Sequence, residues 1–280
     1  MRLAYRLINV FTQNGGKFTG NPLCVFEDGR GLSTEQMQAL ALQFNLSETT
    51  FIFPSDKATA KVRIFAPSYE MQFAGHPTLG TAFVVRELKG LQNEVSLELN
   101  VGPIPVTGNG AEWELRANAT TVRAPKASRA DLAKALSLDV ADIGERPLWV
   151  NNGSEQFIVP VNNIEAVKRA TITYEALQAV TADGPRPQIY LFAGTGTDTL
   201  LSRFFFSKTG AMIEDPATGS ATANLGGWYL ANDASLPFNK IISQGEYVGR
   251  PSTLKLRIDA QRNIFVAGEV VEIGRGYIEL

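Results

Sequence analysis

The chain has 280 residues, enough for two ordinary domains with cores of their own, and its 44% hydrophobic and 19% charged content excludes a disordered chain. A net charge of −2 and a pI near 5.6, with scattered basic residues, give no electrostatic footing for nucleic acid or an anionic membrane. One cysteine, Cys24, excludes an internal disulfide, and one histidine, His76, fits poorly with zinc ligand sets.

Met1 to Val10 holds no long apolar run, and no stretch reaches membrane-spanning length, so a cytoplasmic protein is expected. Leu3 to Phe11 and Leu23 to Phe26 read as strands, separated by the turn residues of Gln13 to Pro22. Cys24, inside an apolar run, reads as a small buried hydrophobe rather than a nucleophile. Ser33 and Gln36 form a capping box, and Met37, Leu40, Ala41 and Phe44 make the apolar stripe of a helix ending near Asn45. Strands are predicted at Thr49 to Phe53, Lys61 to Phe65 and Glu70 to Phe73. A helix then runs to Gly90, and strands follow at Val95 to Leu99, Ile104 to Val106 and Trp113 to Arg116.

Residues 117–130 read as a crossover and Asp131 to Leu138 as a short helix. The second half repeats the order: strands at Leu148 to Val150 and Gln156 to Val161, a helix at Tyr174 to Val180, and strands at Ile189 to Phe192 and Leu201 to Phe206. A second apolar helix follows, then a strand-rich tail of Leu254 to Ile258, Asn263 to Gly268 and Val270 to Ile278. Helices do not alternate regularly with strands, so the class is α+β rather than doubly wound. No dinucleotide fingerprint, P-loop or HExxH pattern occurs.

Two stretches share one pattern: Gly75-His76-Pro77-Thr78-Leu79-Gly80-Thr81-Ala82 and Glu214-Asp215-Pro216-Ala217-Thr218-Gly219-Ser220-Ala221. Their offset of 139 residues, from 76 to 215, is close to half the chain and indicates a duplicated domain. Each reads as the start of a buried, nearly uncharged helix, with Asp215 as N-cap and Pro77 and Pro216 at the first helical position. Such helix ends suit an anion. Gly219 and Ser220 are expected to offer backbone N–H groups to it, with Gly80 and Thr81 doing so from the other half.

Three side chains could carry chemistry. Glu48, between a helix end and an apolar strand, could have its pKa raised by desolvation; a solvated carboxylate at a strand end accounts for its position better. His76, at a positive helix end, is expected to be neutral, and serves equally as a site residue or as a buried imidazole bonded to backbone. Asp215 alone is best read as a plain cap. If the halves pack face to face, however, His76 and Asp215 become neighbours across one cleft, and acid/base groups on opposite walls support proton transfer: isomerisation or epimerisation.

The chain closely resembles the PhzF-like isomerase family of phenazine biosynthesis, within the diaminopimelate epimerase-like fold. The resemblance rests on Val10-Phe11-Thr12, Phe18 to Leu23, Asn45 to Thr49, Phe73 to Gly80, Glu214 to Ala221, Gln244-Gly245 and Gly249 to Ser252, in family order. It implies two pseudo-symmetric domains, each a β-barrel-like sheet around a buried central helix. These are residues 1–118, which the C-terminal strand at about 268–280 can complete, and 119–267. It implies Glu48 as general acid/base, His76 and Asp215 as orienting and proton-moving partners, and Gly75, Gly219 and Ser220 as substrate-binding residues. It also implies a small carboxylated substrate, no cofactor or metal, and a homodimer. Diaminopimelate epimerase moves protons with two cysteines in the corresponding motifs; these motifs have none, which excludes a two-thiol mechanism. Lys208 to Ile213 departs from many relatives' lead-in to the second motif. Epimerisation at a stereocentre and metabolite binding without turnover are the alternatives.

Overall fold

The computed structural model describes residues 1–208 and 210–280; Thr209, within that departing lead-in, lies outside the described residues. The fold is mixed α/β and rich in strands, and the chain divides into two compact units, Met1–Arg116 with Ala267–Leu280, and Ala117–Val266.

The first unit opens with β1 (Arg2–Thr12), β2 (Asn21–Phe26) and α1 (Thr34–Phe44). Both halves of the capping box form at Ser33, and Asn45 closes α1 in a left-handed conformation. Next come β3 (Glu48–Phe53), β4 (Ala60–Phe65), the short β5 (Glu70–Met71) and α2 (Gly75–Lys89), which Gly90 terminates at φ +63°. Then follow β6 (Glu94–Leu99), β7 (Gly102–Asn109) and β8 (Glu112–Arg116).

In this unit β1–β2 is antiparallel, β2–β3 parallel, β3–β4–β5 antiparallel, β4–β6 parallel and β6–β7–β8 antiparallel. Every residue of α2 from Gly75 to Val85 is buried, and the helix packs on β1, β2, β3 and β6. Gly80 allows this approach: a Cβ there would stand 2.7 Å from the side-chain ends of Ile8 and Leu23. Thr50 and Thr81 hydroxyls, 2.8 Å apart and buried, tie α2 to β3.

The second unit contains β9 (Thr121–Arg123), α3 (Arg129–Ala135), β10 (Leu148–Asn151), β11 (Glu155–Pro160), α4 (Ile164–Arg169) and α5 (Tyr174–Val180). It continues with β12 (Gln188–Gly194), β13 (Thr199–Lys208), β14 (Ala211–Asp215), α6 (Gly219–Ala231), β15 (Phe238–Gln244) and β16 (Ser252–Ile258). The pairing order is that of the first unit: β10–β11 antiparallel, β11–β12 parallel, β12–β13–β14 antiparallel, β13–β15 parallel and β15–β16 antiparallel. Here α6 packs on β9, β10, β11 and β16.

Several expectations need correction. The crossover at 117–130 contains β9, which pairs with β10, and α4 and β15 were not foreseen. The last two predicted strands are one, β17 (Ile264–Glu279), whose later part pairs with β1 in the first unit. Gly268 does not interrupt it, because the glycine makes room for the Phe11 ring, 2.4 Å from where its Cβ would stand.

Candidate active site

Glu48 opens β3, and its register is set by pairing opposite Leu23 of β2. Alternation puts Glu48 on the face of β3 that carries Thr50, the side turned to α2. His76, on the first turn of α2 and 5% exposed, brings Nδ1 to 2.8 Å from Glu48 Oε2. The approach lacks hydrogen-bond angles: Glu48 Oε2 and His76 Nε2 are both buried without a hydrogen-bond partner among the described residues. Buried polar atoms are normally satisfied, so such orphans call for an explanation.

The helix starts also stand apart. Side chains cap α1, α3, α4 and α5, through Ser33, Ser128, Asn163 and Thr173. No side chain caps α2, whose N-cap is Ala74, or α6, whose N-cap is Thr218. Asp215 is therefore not the cap of α6; it ends β14, and its carboxylate accepts the Thr218 hydroxyl at 2.5 Å. Nor do the prolines sit at the first helical position. Pro77 is third in α2, where its missing N–H still costs nothing, and Pro216 precedes α6.

The twin motifs thus start their helices at different points. Because α2 begins at Gly75, Gly80 and Thr81 lie inside it, where backbone N–H groups are used by the helix and cannot serve an anion. Gly75 and His76 hold the free N–H groups of that end. In α6 the first turn is Gly219, Ser220 and Ala221, and Thr222 makes the first intrahelical bond, to Thr218.

Gln244, fully buried at the end of β15, holds the turn before α6 in place. Its Oε1 accepts the Thr218 N–H at 3.3 Å, and its Nε2 donates to Asp215 O and Thr218 Oγ1, both at 2.9 Å. Gly245, at φ +83°, lets the chain pass Pro216: a Cβ would stand 2.4 Å from that carbonyl oxygen. The role of Gln244-Gly245 is not legible in the sequence, since the contact spans about thirty residues.

It also missed two ion pairs. Arg63 donates to Glu70 through Nε at 2.8 Å and Nη2 at 2.6 Å, and Arg203 to Glu214 at 3.0 and 2.7 Å. Each bridges the strands just before a motif, so Glu214 is held beside Asp215. A readable signal existed: Arg63-Ile64-Phe65 and Arg203-Phe204-Phe205 stand 140 residues apart. Cys24 is fully buried, and burial pushes its thiol pKa up, as fits an inert side chain. Among the described residues no group of three or more His, Cys, Asp or Glu side chains is placed to hold a metal ion, and no helix is long and apolar enough to cross a membrane.

The family model described as phenazine biosynthesis-like protein, PhzC-PhzF, matches residues 8–276. An uncharacterized isomerase of Pasteurella multocida is 36% identical, over 98% of this chain and 93% of that protein. The trans-2,3-dihydro-3-hydroxyanthranilate isomerase of Pseudomonas aeruginosa is 32% identical, over 98% of this chain and 97% of its own. The crystal structure of a Bacillus anthracis phenazine biosynthesis protein of the PhzF family superposes with a TM-score of 0.88 at 25% identity, covering 100% of both chains. Matched nearly end to end by this family model and by relatives named isomerases, the chain belongs to the PhzC-PhzF family of phenazine biosynthesis-like proteins, as an isomerase.

Proposed function

We propose that this isomerase moves a proton on a small carboxylated metabolite by general acid/base catalysis, without a cofactor, and that Glu48 carries the proton. The observation behind this reading is the pair of orphaned buried atoms, Glu48 Oε2 and His76 Nε2, beside the bare start of α2. A buried carboxylate oxygen without a hydrogen-bond partner can take a proton from one position of a bound substrate and return it to another, so Glu48 can act first as base and then as acid on one substrate. His76 and the N–H of Gly75 hold and orient the substrate beside that carboxylate. In the second unit, Asp215 serves as a further proton-moving partner, while Gly219 and Ser220 bind the carboxylate through the uncapped first turn of α6. The matching order of strand pairings supports a duplicated domain, each sheet curling around its buried helix in the diaminopimelate epimerase manner.

Incubation with trans-2,3-dihydro-3-hydroxyanthranilate in D2O tests the assignment, read by mass spectrometry of the product. Wild type should isomerise the acid with uptake of one solvent deuteron, and Glu48→Gln should slow this by about 10²–10⁴-fold, the usual worth of a positioned acid/base. Equal incorporation by both proteins would remove Glu48 as the carrier. Turnover of another carboxylic acid in its place would change the substrate and leave the carrier standing.

A further inference from the structure

Ser220, the second residue of α6, is half-buried, and its Oγ accepts a hydrogen bond from Gln156 Nε2 at 2.9 Å. The direction of that bond is fixed from behind. Asn224, one turn further along α6 and fully buried, donates Nδ2 to the backbone carbonyl of Ser154 at 2.8 Å. A carbonyl only accepts, so the Asn224 amide cannot be turned over. The same Nδ2 lies 2.7 Å from Gln156 Oε1, which fixes the Gln156 amide in turn and leaves its NH₂ facing Ser220. Gln156 is 3% exposed and cannot exchange this arrangement for water.

One of the two Ser220 Oγ lone pairs is engaged by Gln156, and the hydroxyl keeps its proton to give. No acceptor for that proton occurs among the described residues. Gly219, Ser220 and Ala221 N–H groups add further donors at the same turn. In the first unit the equivalent hydroxyl, Thr81, is spent on Thr50, so the two copies differ in this respect.

We propose that Gln156 and Asn224 are positioning residues that set Ser220 as a hydrogen-bond donor, so that, together with the free N–H groups of the same turn, the start of α6 favours a group whose oxygens all accept, an ionised carboxylate over its amide. The proposal rests on the carboxylate-binding role given to Gly219 and Ser220 above and adds what enforces it. Gln156→Glu reverses the polarity: with only acceptors facing Ser220, the hydroxyl turns its proton inward. Gln156→Met removes the constraint with no added charge.

The test is a double-mutant cycle in binding, by calorimetry with anthranilate, a stable acid sharing the skeleton named for the Pseudomonas relative, and with anthranilamide. Wild type should bind anthranilate more tightly than the amide, and Ser220→Ala should weaken the acid by about tenfold or more, the worth of one bond to a charged group. Gln156→Glu should weaken it about as much in the wild-type background but much less in the Ser220→Ala background. Charge repulsion alone would persist in both. Gln156→Met, the variant to use if Gln156→Glu fails to fold, should show a smaller loss that likewise disappears with Ser220→Ala. Equal losses in both backgrounds overturn the positioning role while leaving carboxylate binding intact. A wild type that binds neither ligand, or both equally, overturns the carboxylate reading itself and the proposal with it.

Discussion

Arg63 and Arg203 lie over phenylalanine rings two residues further on, Phe65 at 5.0 Å and Phe205 at 4.7 Å, while each forks onto a glutamate. Parallel charge-assisted bonds of this kind fix direction as well as distance, which suits the strands leading into the two motifs. Glu70 is held below the ordinary carboxylate range, first by its hydrogen bonds from Arg63, which outweigh the opposing effect of burial. A depressed pKa gives stability that is complete above the ordinary carboxylate range and drains away as pH falls through the lowered value. Urea midpoints should therefore fall on acidification from pH 7 toward 3. Arg63→Gln should lose ~1 kcal/mol at neutral pH, with its curve meeting that of wild type in acid. Parallel curves at all pH values would show that Glu70 draws nothing from Arg63.

At the scale of elements, what could be read from the sequence was what neighbouring residues decide. The start of α1 follows from Ser33 and Gln36 and its end from Asn45, all within reach of their own helix. The start of α6 does not follow from Asp215 in the same way, because Gln244, brought in by β15, bonds to the 215–218 turn and places the first helical residue at Gly219. β15 itself went unseen, since the apolar Ile241 is exposed and the polar Gln244 is buried, which breaks the alternation a strand should show. Glu48 was singled out by family resemblance alone; its approach to His76 depends on the packing of β3 on α2, which no spacing encodes. Gly245→Ala tests the turn. At φ +83°, with Arg250 O 2.3 Å from the new Cβ, it should cost about 2 kcal/mol or more in thermal unfolding. Activity should fall further than stability accounts for, because the start of α6 shifts. An alanine variant with unchanged melting and turnover would mean that the turn is not held through Gly245.

For the molecule as a whole, motif order led to an α+β chain of two halves, and the pattern shared by two stretches 139 residues apart pointed to a duplicated domain. The C-terminal strand was harder to read, because β17 runs through a glycine that exists to seat Phe11.

The two uncapped helix starts have a consequence for heat tolerance. Ala74 already has the extended backbone of an N-cap, φ −153° and ψ 135°, and lacks only the oxygen. Ala74→Ser should supply it, contribute about 1 kcal/mol and raise the melting temperature by ~2–4 °C. The new hydroxyl would bond the His76 N–H, since Pro77 has none to offer, directly beside the Gly75 N–H proposed to meet the substrate, so KM should rise in the same variant. Calorimetry and steady-state kinetics on one preparation would read both. A tougher fold obtained at the expense of the catalyst is what a chain kept short of its stability optimum by its own chemistry should yield.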